Sequence, residues 1–336
     1  MAINKLGTHT FRPQAPVYIR TWASVAGKKE AEGPLGHGFD IKSMDTSFGE
    51  KTWELAEKKM QQLALDKLLH KARLEPKDID VVFSGDLLNQ CIGSSFTLRN
   101  TGIPHLGLYG ACSTMALSII NAALFIESGA GERAVAVTSS HFCSAERQYR
   151  FPLEYGAQRP PTSQWTVTGS GAAVITNESG LPYVHSACIG TVQDLGVKDA
   201  NNMGAAMAPA AYDTISAYIS DTKTAPSDYD AIITGDLGAG GGELLKKLFL
   251  RDGIDISPVY NDCGLLIFDR EKQDVHAGGS GCGCGASVLC SYLLGRMKKG
   301  EIKNLLFCAT GALLSPTSTQ QGENIPAIAH LVNIRV

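Results

Sequence analysis

The sequence lacks a hydrophobic run long enough to cross a membrane. Its longest apolar stretch, residues 115–126, is interrupted by Ser118 and Asn121, whereas a spanning helix needs about 20 apolar residues. The first residues, MAINKLGTHTFRP, contain a lysine but no apolar segment after it, so no secretory signal is expected. We expect a chain that is soluble or, at most, peripheral to a membrane.

Basic tracts and disulfide-type cysteine spacing are also missing. The net charge is −3, which disfavours nucleic-acid binding. The nine cysteines are an odd number, which is typical of a protein in a reducing compartment. Cys282 and Cys284 have no paired histidines at zinc-finger spacing. The glycine-rich segment 278–285 lacks the Gly-Lys-Ser/Thr ending of a phosphate loop. We therefore expect no metal site, no cofactor and no nucleotide site.

An internal repeat is the most informative feature that is present. Residues 76–87 read PKDIDVVFSGDL and residues 226–237 read PSDYDAIITGDL, with six of the twelve positions identical. Each copy reads as a helix, a Pro-Asp turn and a buried strand that ends in Gly-Asp. Chance is the alternative, but a second match follows in the same order, GACSTMAL at 110–117 and GCGCGAS at 281–287.

Both glycine-rich turns precede an apolar helix and then a buried strand, at 134–140 and at 304–311. Strands that alternate with helices indicate a sheet covered on both faces. The predicted fold class is α/β, with two duplicated halves whose mixed, largely parallel sheets sandwich buried helices. We divide the chain into an N-terminal half, 1–180, and a C-terminal half, 181–336, and read the insert at 141–171 as a functional loop.

Three of the candidate site residues follow from the repeat. Cys112, followed by Ser113, opens the predicted helix of the first half, where backbone N–H groups and the helix dipole favour a thiolate or a bound anion. Close packing in the turn is the alternative reading. Asp86 and Asp236 follow the repeated strands at matched points, where side chains face a ligand crevice or cap the next helix. We expect at least one of the two carboxylates at the crevice.

The insert and the neighbouring turns add further candidates. His141 follows the strand 134–140 and could reach the crevice or be a hydrogen-bonded structural residue. Arg147, like the other arginines of the insert, could hold a carboxylate bidentately or remain solvated. Thr166 lies in a strand and glycine turn that we predict beside the crevice, and Cys282 lies in the second glycine turn.

With these residues in view, the chain resembles the thiolase superfamily, whose members fuse two such halves and place a cysteine at a helix start in the first. GACSTMAL, VTSSH and TVTGSGAAVI are similar to the ketoacyl synthase III branch. The match is closer still to the stage V sporulation protein AD family of endospore-forming bacteria. It rests on GPLG at 33–36, SGDLLNQ at 84–90, YGACSTMA at 109–116, TSSH at 138–141, AERQYRFPLEYGAQRP at 145–160, TVTGSGA at 166–172, MAPAA at 207–211, NDCGL at 261–265, HAGGSGCGCGA at 276–286 and ATGALLSPT at 309–317.

The resemblance implies a thiolase-like fold, usually a homodimer, that binds dipicolinic acid, a planar pyridine dicarboxylate, for its uptake into the developing spore. It also implies a place at the cytoplasmic face or periphery of the spore inner membrane, beside membrane proteins of the same operon. A calcium ion or a bridging water could accompany the ligand, because Asp86 would otherwise repel its carboxylates. The predicted ligand-binding residues are Asp86, Cys112, Ser113, His141, Arg147, Thr166, Asp236 and Cys282.

The sequence departs from the enzymes of that branch at two points. A condensing enzyme resembling synthase III has a histidine in a His-x-Ala-Asn setting where residues 235–239 read Gly-Asp-Leu-Gly-Ala, and an asparagine or histidine where 281–284 read Gly-Cys-Gly-Cys. His276 lies several residues too early to substitute. Without these groups no oxyanion hole forms and no base acts on the thiol. We expect a non-catalytic binding protein, with a Cys112-dependent acyltransferase of the ketoacyl synthase III type and a scaffold for spore membrane proteins as the alternatives.

Overall fold

The computed structural model of the chain describes residues 3–149 and 159–336. Residues 150–158 of the predicted loop at 141–171 lie outside the described residues. They include one of its arginines and two of its aromatic residues. The strands, β1 to β15 in chain order, are Asn4–Lys5, Thr10–Arg12, Val17–Ala26, Ile41–Lys42, Val81–Gly85, His105–Gly107, Arg133–Ser140, Trp165–Thr166, Gly169–Thr176, Tyr183–Ile189, Ala231–Thr234, Tyr260–Asp262, Gly279–Ser280, Asn304–Ala312 and Ala327–Arg335. The α-helices, α1 to α11, are Lys28–Ala31, Trp53–Ala72, Ile92–Leu98, Thr114–Glu127, Phe142–Tyr149, Met203–Thr222, Gly238–Arg251, Cys263–Leu266, Cys282–Val288, Leu294–Lys298 and Pro316–Gln320.

The repeat predicted from the sequence is present in three dimensions. Helices α2 and α6 are both 20 residues long, and each ends at a residue in the left-handed region, Arg73 with φ 56° and Lys223 with φ 55°. A 3₁₀ turn follows each helix, Pro76–Asp78 in the first half and Pro226–Asp228 in the second. The strands β5 and β11 come next, so both copies have the same order of elements.

A hydrogen-bonding pattern at the protein surface repeats together with these elements. Asp80 accepts hydrogen bonds from the backbone amides of residues 132 and 133, where β7 begins. Asp230 accepts the same pair of bonds from residues 303 and 304, where β14 begins. Each aspartate therefore ties the turn before one strand to the start of the neighbouring strand, which explains why both copies keep an aspartate there.

Among the described residues, the strands form a mixed 13-stranded sheet, and each half contributes five strands to its main path in matching order. Read from the outer edge to the centre, that order is β12-β11-β14-β15-β10 in one half and β6-β5-β7-β9-β3 in the other. Strands β8 and β13 pair in a separate two-stranded sheet. Strands β5 and β11 pair in parallel with both of their neighbours, whereas β9 and β15 pair antiparallel with theirs. The mixed α/β fold is confirmed, with antiparallel pairs toward the centre of the sheet, where β3 meets β10. The division into domains at 1–180 and 181–336 stays a prediction.

Helix α4 lies between the two half-sheets, as its apolar character predicts. It contacts β5 and β7 of the first half and β14 and β15 of the second. Met115, Ile119 and Ile120 on this helix are at most 1% exposed, and full burial of such side chains stabilises the fold by about 2 kcal/mol each. Helices α2 and α6 cover the outer faces. The start of α4, and Cys112 just before it, is thereby held at the junction of the two halves.

Within the described residues, no helix combines the length and the apolar character that a membrane crossing requires.

Candidate ligand-binding site

A cavity opens beside Cys112, where loops of the two halves meet. The space it contains is about 640 Å³ when the solvent at its open mouth is included. The walls are mostly apolar, and a few hydroxyl, amide and carboxyl groups interrupt them. The lining residues are Leu87, Tyr109, Ala111, Cys112, Ala145, Glu146, Tyr149, Thr166, Ala200, Asn201, Met203, Ser280, Ala312 and Leu314.

The thiol of Cys112 belongs to the cavity wall but is almost completely buried. Cys112 is 7% exposed and lies two residues before α4, after Ala111, whose φ of 48° turns the chain into the helix. Burial, and then the negative charge of Asp236, raise the pKa of Cys112 well above its usual value. The expectation of a thiolate at the helix start is therefore wrong, because the loss of hydration outweighs the helix dipole.

Asp236 lies directly behind the cavity wall and binds the groups around Cys112. Its carboxylate accepts hydrogen bonds from the Thr310 hydroxyl at 2.8 Å, the Gly281 amide at 2.9 Å and the Ser280 hydroxyl at 3.2 Å. Burial raises the pKa of Asp236, while its hydrogen-bond donors favour the ionised form. Asp236 is not itself part of the cavity lining, so its contact with a ligand stays a prediction.

Asp86, its counterpart in the first half, has a different role. Its carboxylate accepts hydrogen bonds from the backbone amides of Leu88 and Ser94 and from the Ser94 hydroxyl, at 2.7–2.9 Å. The side chain is fully buried and is not part of the cavity lining. Asp86 fixes the turn into α3, so this geometry does not support its assignment as a ligand contact or the repulsion of the ligand that was expected from it.

His141 is also a structural residue, contrary to its assignment as a ligand contact. The ring is 1% exposed, with Nε2 2.8 Å from the carbonyl oxygen of Thr46 and Nδ1 accepting from the amide of Cys143 at 3.1 Å. Trp53 stacks against the ring, with centroids 5.7 Å apart. Both nitrogens are occupied within the fold, and burial lowers the pKa of His141, which keeps the ring neutral.

The arginines of the insert do not line the cavity where the structure describes them. Arg147 on α5 forms an ion pair with Glu54 on α2. Arg159 pairs with Asp274 and stacks on Trp165, with its guanidinium carbon 4.8 Å from the ring centroid. The expectation that Arg147 binds a ligand carboxylate is therefore not met by this geometry, because its guanidinium already has a carboxylate partner.

The three remaining residues that were predicted to bind the ligand differ in how far they lie behind the cavity surface. Thr166 lines the cavity, as predicted. Ser113 is fully buried and donates to the carbonyl oxygen of Gly110 at 2.6 Å, so it closes the turn before α4. Cys282 packs against Cys112, Leu87 and Ala145, and its thiol donates to the carbonyl oxygen of Ser139 at 2.9 Å. Ser113 and Cys282 support the wall from behind and do not form it.

Several lining residues carried no signal that sequence reasoning could use. Tyr109 and Tyr149 form a hydroxyl chain, with their oxygens 3.0 Å apart and Tyr149 donating to the carbonyl oxygen of Leu87 at 2.6 Å. Tyr149 is the exception, because it lies within the predicted functional loop at 141–171. The walls at 200–203 and 312–314 lie around the start of α6 and the end of β14, segments of ordinary composition that only the three-dimensional arrangement brings to the site.

No cluster of three or more His, Cys, Asp or Glu residues is arranged to hold a metal ion in the part of the chain that the structure describes.

Comparison with known proteins gives a family match and a fold match. A family model described as stage V sporulation protein AD matches residues 7–335. The curated stage V sporulation protein AD of Bacillus subtilis (strain 168) is 43% identical over 324 residues, covering 96% of both chains.

Solved structures of low sequence identity have the same fold. OleA of Xanthomonas campestris, bound to cerulenin, superposes with a TM-score of 0.62 at 16% identity, covering 96% of this chain and 97% of that one. The 3-oxoacyl-[acyl-carrier-protein] synthase III of Aquifex aeolicus VF5 superposes with a TM-score of 0.56 at 13% identity over the full length of both chains. The predicted thiolase-like fold of the synthase III type is thereby confirmed.

Proposed function

The chain belongs to the stage V sporulation protein AD family, a group of sporulation proteins, and from this we propose that it binds dipicolinic acid in the cavity beside Cys112 without catalysing a reaction. The observation that carries the proposal is the cavity itself, whose wall includes the buried Cys112. Burial and the negative charge of Asp236 raise the pKa of Cys112, which keeps the sulfur protonated. The cavity has therefore kept the shape of a ligand site while its sulfur is a poor nucleophile.

The shape and chemistry of the cavity suit a small planar acid. Leu87, Met203 and Leu314 supply apolar surface against which the faces of a pyridine ring can pack. The hydroxyl of Thr166 and the amide of Asn201 lie in the same lining and are donors that a carboxylate can use. This combination of apolar walls with a few polar groups is typical of small-molecule sites.

The charge of the lining constrains the form in which the ligand binds. Among the described lining residues, Glu146 is the charged side chain, and no lysine or arginine is present. The described lining therefore offers no cationic side chain that could neutralise two ligand carboxylates. We therefore propose that dipicolinate binds as its calcium complex, in which the ion is part of the cargo. Titration with dipicolinate in the presence of calcium and of a chelator tests this, and tighter binding in the chelator would contradict it.

The acyltransferase alternative lacks a base in the positions where the fold would hold one. Asp236 stands where condensing enzymes resembling synthase III have histidine, and the Cys282 thiol is bonded to a backbone carbonyl. His276 has Nδ1 3.0 Å from the carbonyl oxygen of Pro160 and pairs with Asp274, away from the cavity lining. We expect no acyl adduct on Cys112 when intact-protein mass spectrometry follows incubation with coenzyme A thioesters, and a stoichiometric adduct would favour the enzyme.

A tryptophan at Ala200 is expected to block ligand binding. Ala200 is half-buried at the cavity, so an indole there would occupy the ligand space without disturbing a helix or strand. The affinity for dipicolinate, measured by calorimetry with calcium present, should fall by about tenfold or more, as expected for steric overlap worth about 1–3 kcal/mol. The matched control is Ala130→Trp, at an exposed residue after α4 that is not part of the lining.

Two outcomes would count against the assignment. Equal affinity in the wild type and the Ala200→Trp variant would place the ligand elsewhere on the molecule. Absence of dipicolinate binding in the folded wild type would refute the function itself and would leave the scaffold for spore membrane proteins as the stronger alternative.

The expected homodimer, the membrane-protein partners and the location at the spore inner membrane stay predictions from the family resemblance. Strand β6 offers one place for a second copy, because it lies at an end of the sheet and its Leu106 is 52% exposed. Light scattering of the wild type and of Leu106→Glu would test this, and a monomeric wild type would contradict it.

A further inference from the structure

Helix α5 forms one wall of the cavity. Ala145, Glu146 and Tyr149 all line it, so a small shift of the helix changes the space that a ligand can occupy. On its other side the helix carries Ser144, which is 1% exposed and points into the protein. The position of α5 therefore depends on the contact that Ser144 makes.

That contact is a buried carboxyl group on another helix. Glu57 of α2 is fully buried, and its Oε2 accepts a hydrogen bond from the Ser144 hydroxyl at 2.6 Å. Its Oε1 accepts a longer one, 3.3 Å, from the Ser139 hydroxyl at the end of β7. One side chain thus joins α2, β7 and α5 directly behind the cavity wall.

The internal duplication shows that the fold itself does not need a carboxyl group at this position. The residue of α6 that corresponds to Glu57 in the repeat is Met207, which is also fully buried and belongs to an apolar cluster. Burial of a carboxyl group costs free energy that burial of a methionine does not. The first half therefore carries a more costly residue at the point where its helix approaches α5.

The surroundings of Glu57 favour its neutral form. Burial and then the nearby carboxylate of Asp86 raise the pKa of Glu57 well above its usual value. Gln61, one turn further along α2, donates from its amide nitrogen to Gly85, Ser94 and Ser139. Its buried Oε1 has no donor among the described residues.

We propose that Glu57 is a positioning residue that fixes α5 as a wall of the cavity and thereby sets the affinity for the ligand. Its carboxyl group accepts hydrogen bonds from Ser144 on α5 and Ser139 on β7, so it joins α2 to both of these elements at once. The effect on affinity rests on the proposed function, whereas the effect on α5 does not.

Hydrogen exchange in α5 tests the positioning role without any ligand. In Glu57→Met, which copies the second half, we expect amide exchange in residues 142–149 to become about tenfold faster, as expected for loss of a buried hydrogen bond. Glu57→Gln is neutral and keeps an acceptor and a donor, so it should retain the exchange rate of the wild type. The control Ser186→Ala removes a buried bond of 2.7 Å to Tyr218 on the other half and should leave α5 unchanged.

The affinity for dipicolinate is measured on the same four proteins. We expect a loss of about tenfold in Glu57→Met, affinity equal to the wild type in Glu57→Gln, and no change in Ser186→Ala. Unchanged exchange in α5 of Glu57→Met would overturn the proposal, as would failure of Glu57→Gln to preserve it. If α5 loosens as expected but the wild type does not bind dipicolinate, the positioning role stands and the proposed ligand is wrong.

Discussion

Replacement of Asp236 by asparagine is expected to make Cys112 react about tenfold faster with iodoacetamide near neutral pH. Burial and then the negative charge of Asp236 raise the pKa of the thiol. Removal of a nearby like charge lowers the pKa of a thiol by about 1–3 units. A more acidic thiol is also a weaker nucleophile, which offsets about half of the gain in rate. Peptide mass spectrometry resolves Cys112 from the other eight cysteines.

The internal duplication supplies a matched control for this experiment. Asp86→Asn alters the equivalent carboxylate of the first half, which bonds to Leu88 and Ser94 and not to Cys112. Its alkylation rate should equal that of the wild type. A wild-type Cys112 that already reacts as fast as an exposed thiol, or an Asp236→Asn variant that reacts no faster, would show that the carboxylate does not suppress the thiol.

Substitution of Gly171 by alanine is expected to lower the free energy of unfolding by about 3 kcal/mol. A Cβ on Gly171 would overlap the backbone carbonyl group of Ala286, so α9 would have to move away from β9. That helix begins at Cys282 and holds Gly281 against Asp236. Its displacement would therefore weaken the site as well as the core, and denaturant unfolding monitored by circular dichroism measures the loss.

Gly240→Ala tests whether this effect comes from the close approach. Gly240 lies in α7, and a Cβ added to it would have no other atom within 4 Å among the described residues. Alanine there should stabilise the helix by about 0.5–1 kcal/mol. If Gly171→Ala unfolds with the same free energy as the wild type, the contact between α9 and β9 is looser than the structure has it.

The duplicated fold could be predicted because its signals are local. Pro76 and Pro226 start a turn, Asp80 and Asp230 tie that turn to the next strand, and the apolar runs that follow can only be buried strands. Each signal comes either from residues that are close in the sequence or from hydrogen bonds that are the same in both halves. The pairing at the centre of the sheet depends on β3 and β10, whose contacts are distant in the sequence and could not be predicted.

The different roles of the aspartates in the two Gly-Asp motifs could not be predicted from the sequence. Asp86 has the amide and hydroxyl of Ser94 within reach, whereas Asp236 has Thr310 and Gly281 from distant elements. Identical local sequences therefore give one aspartate that orders a turn and one that contacts Cys112. The cavity residues at 200–203 and 312–314 were missed for a related reason. Alanine, leucine and methionine carry no sequence motif, so their place in the cavity wall is visible only in the folded structure.

The most direct test of the central claim is the rate at which Cys112 is alkylated with and without dipicolinate and calcium. A ligand that occupies the cavity covers the one edge of the thiol that solvent reaches, since Cys112 is 7% exposed. We predict that the rate falls in proportion to the bound fraction, while the alkylation of Cys143, which is outside the lining, does not change. An unchanged Cys112 rate in protein that calorimetry finds saturated would contradict the account.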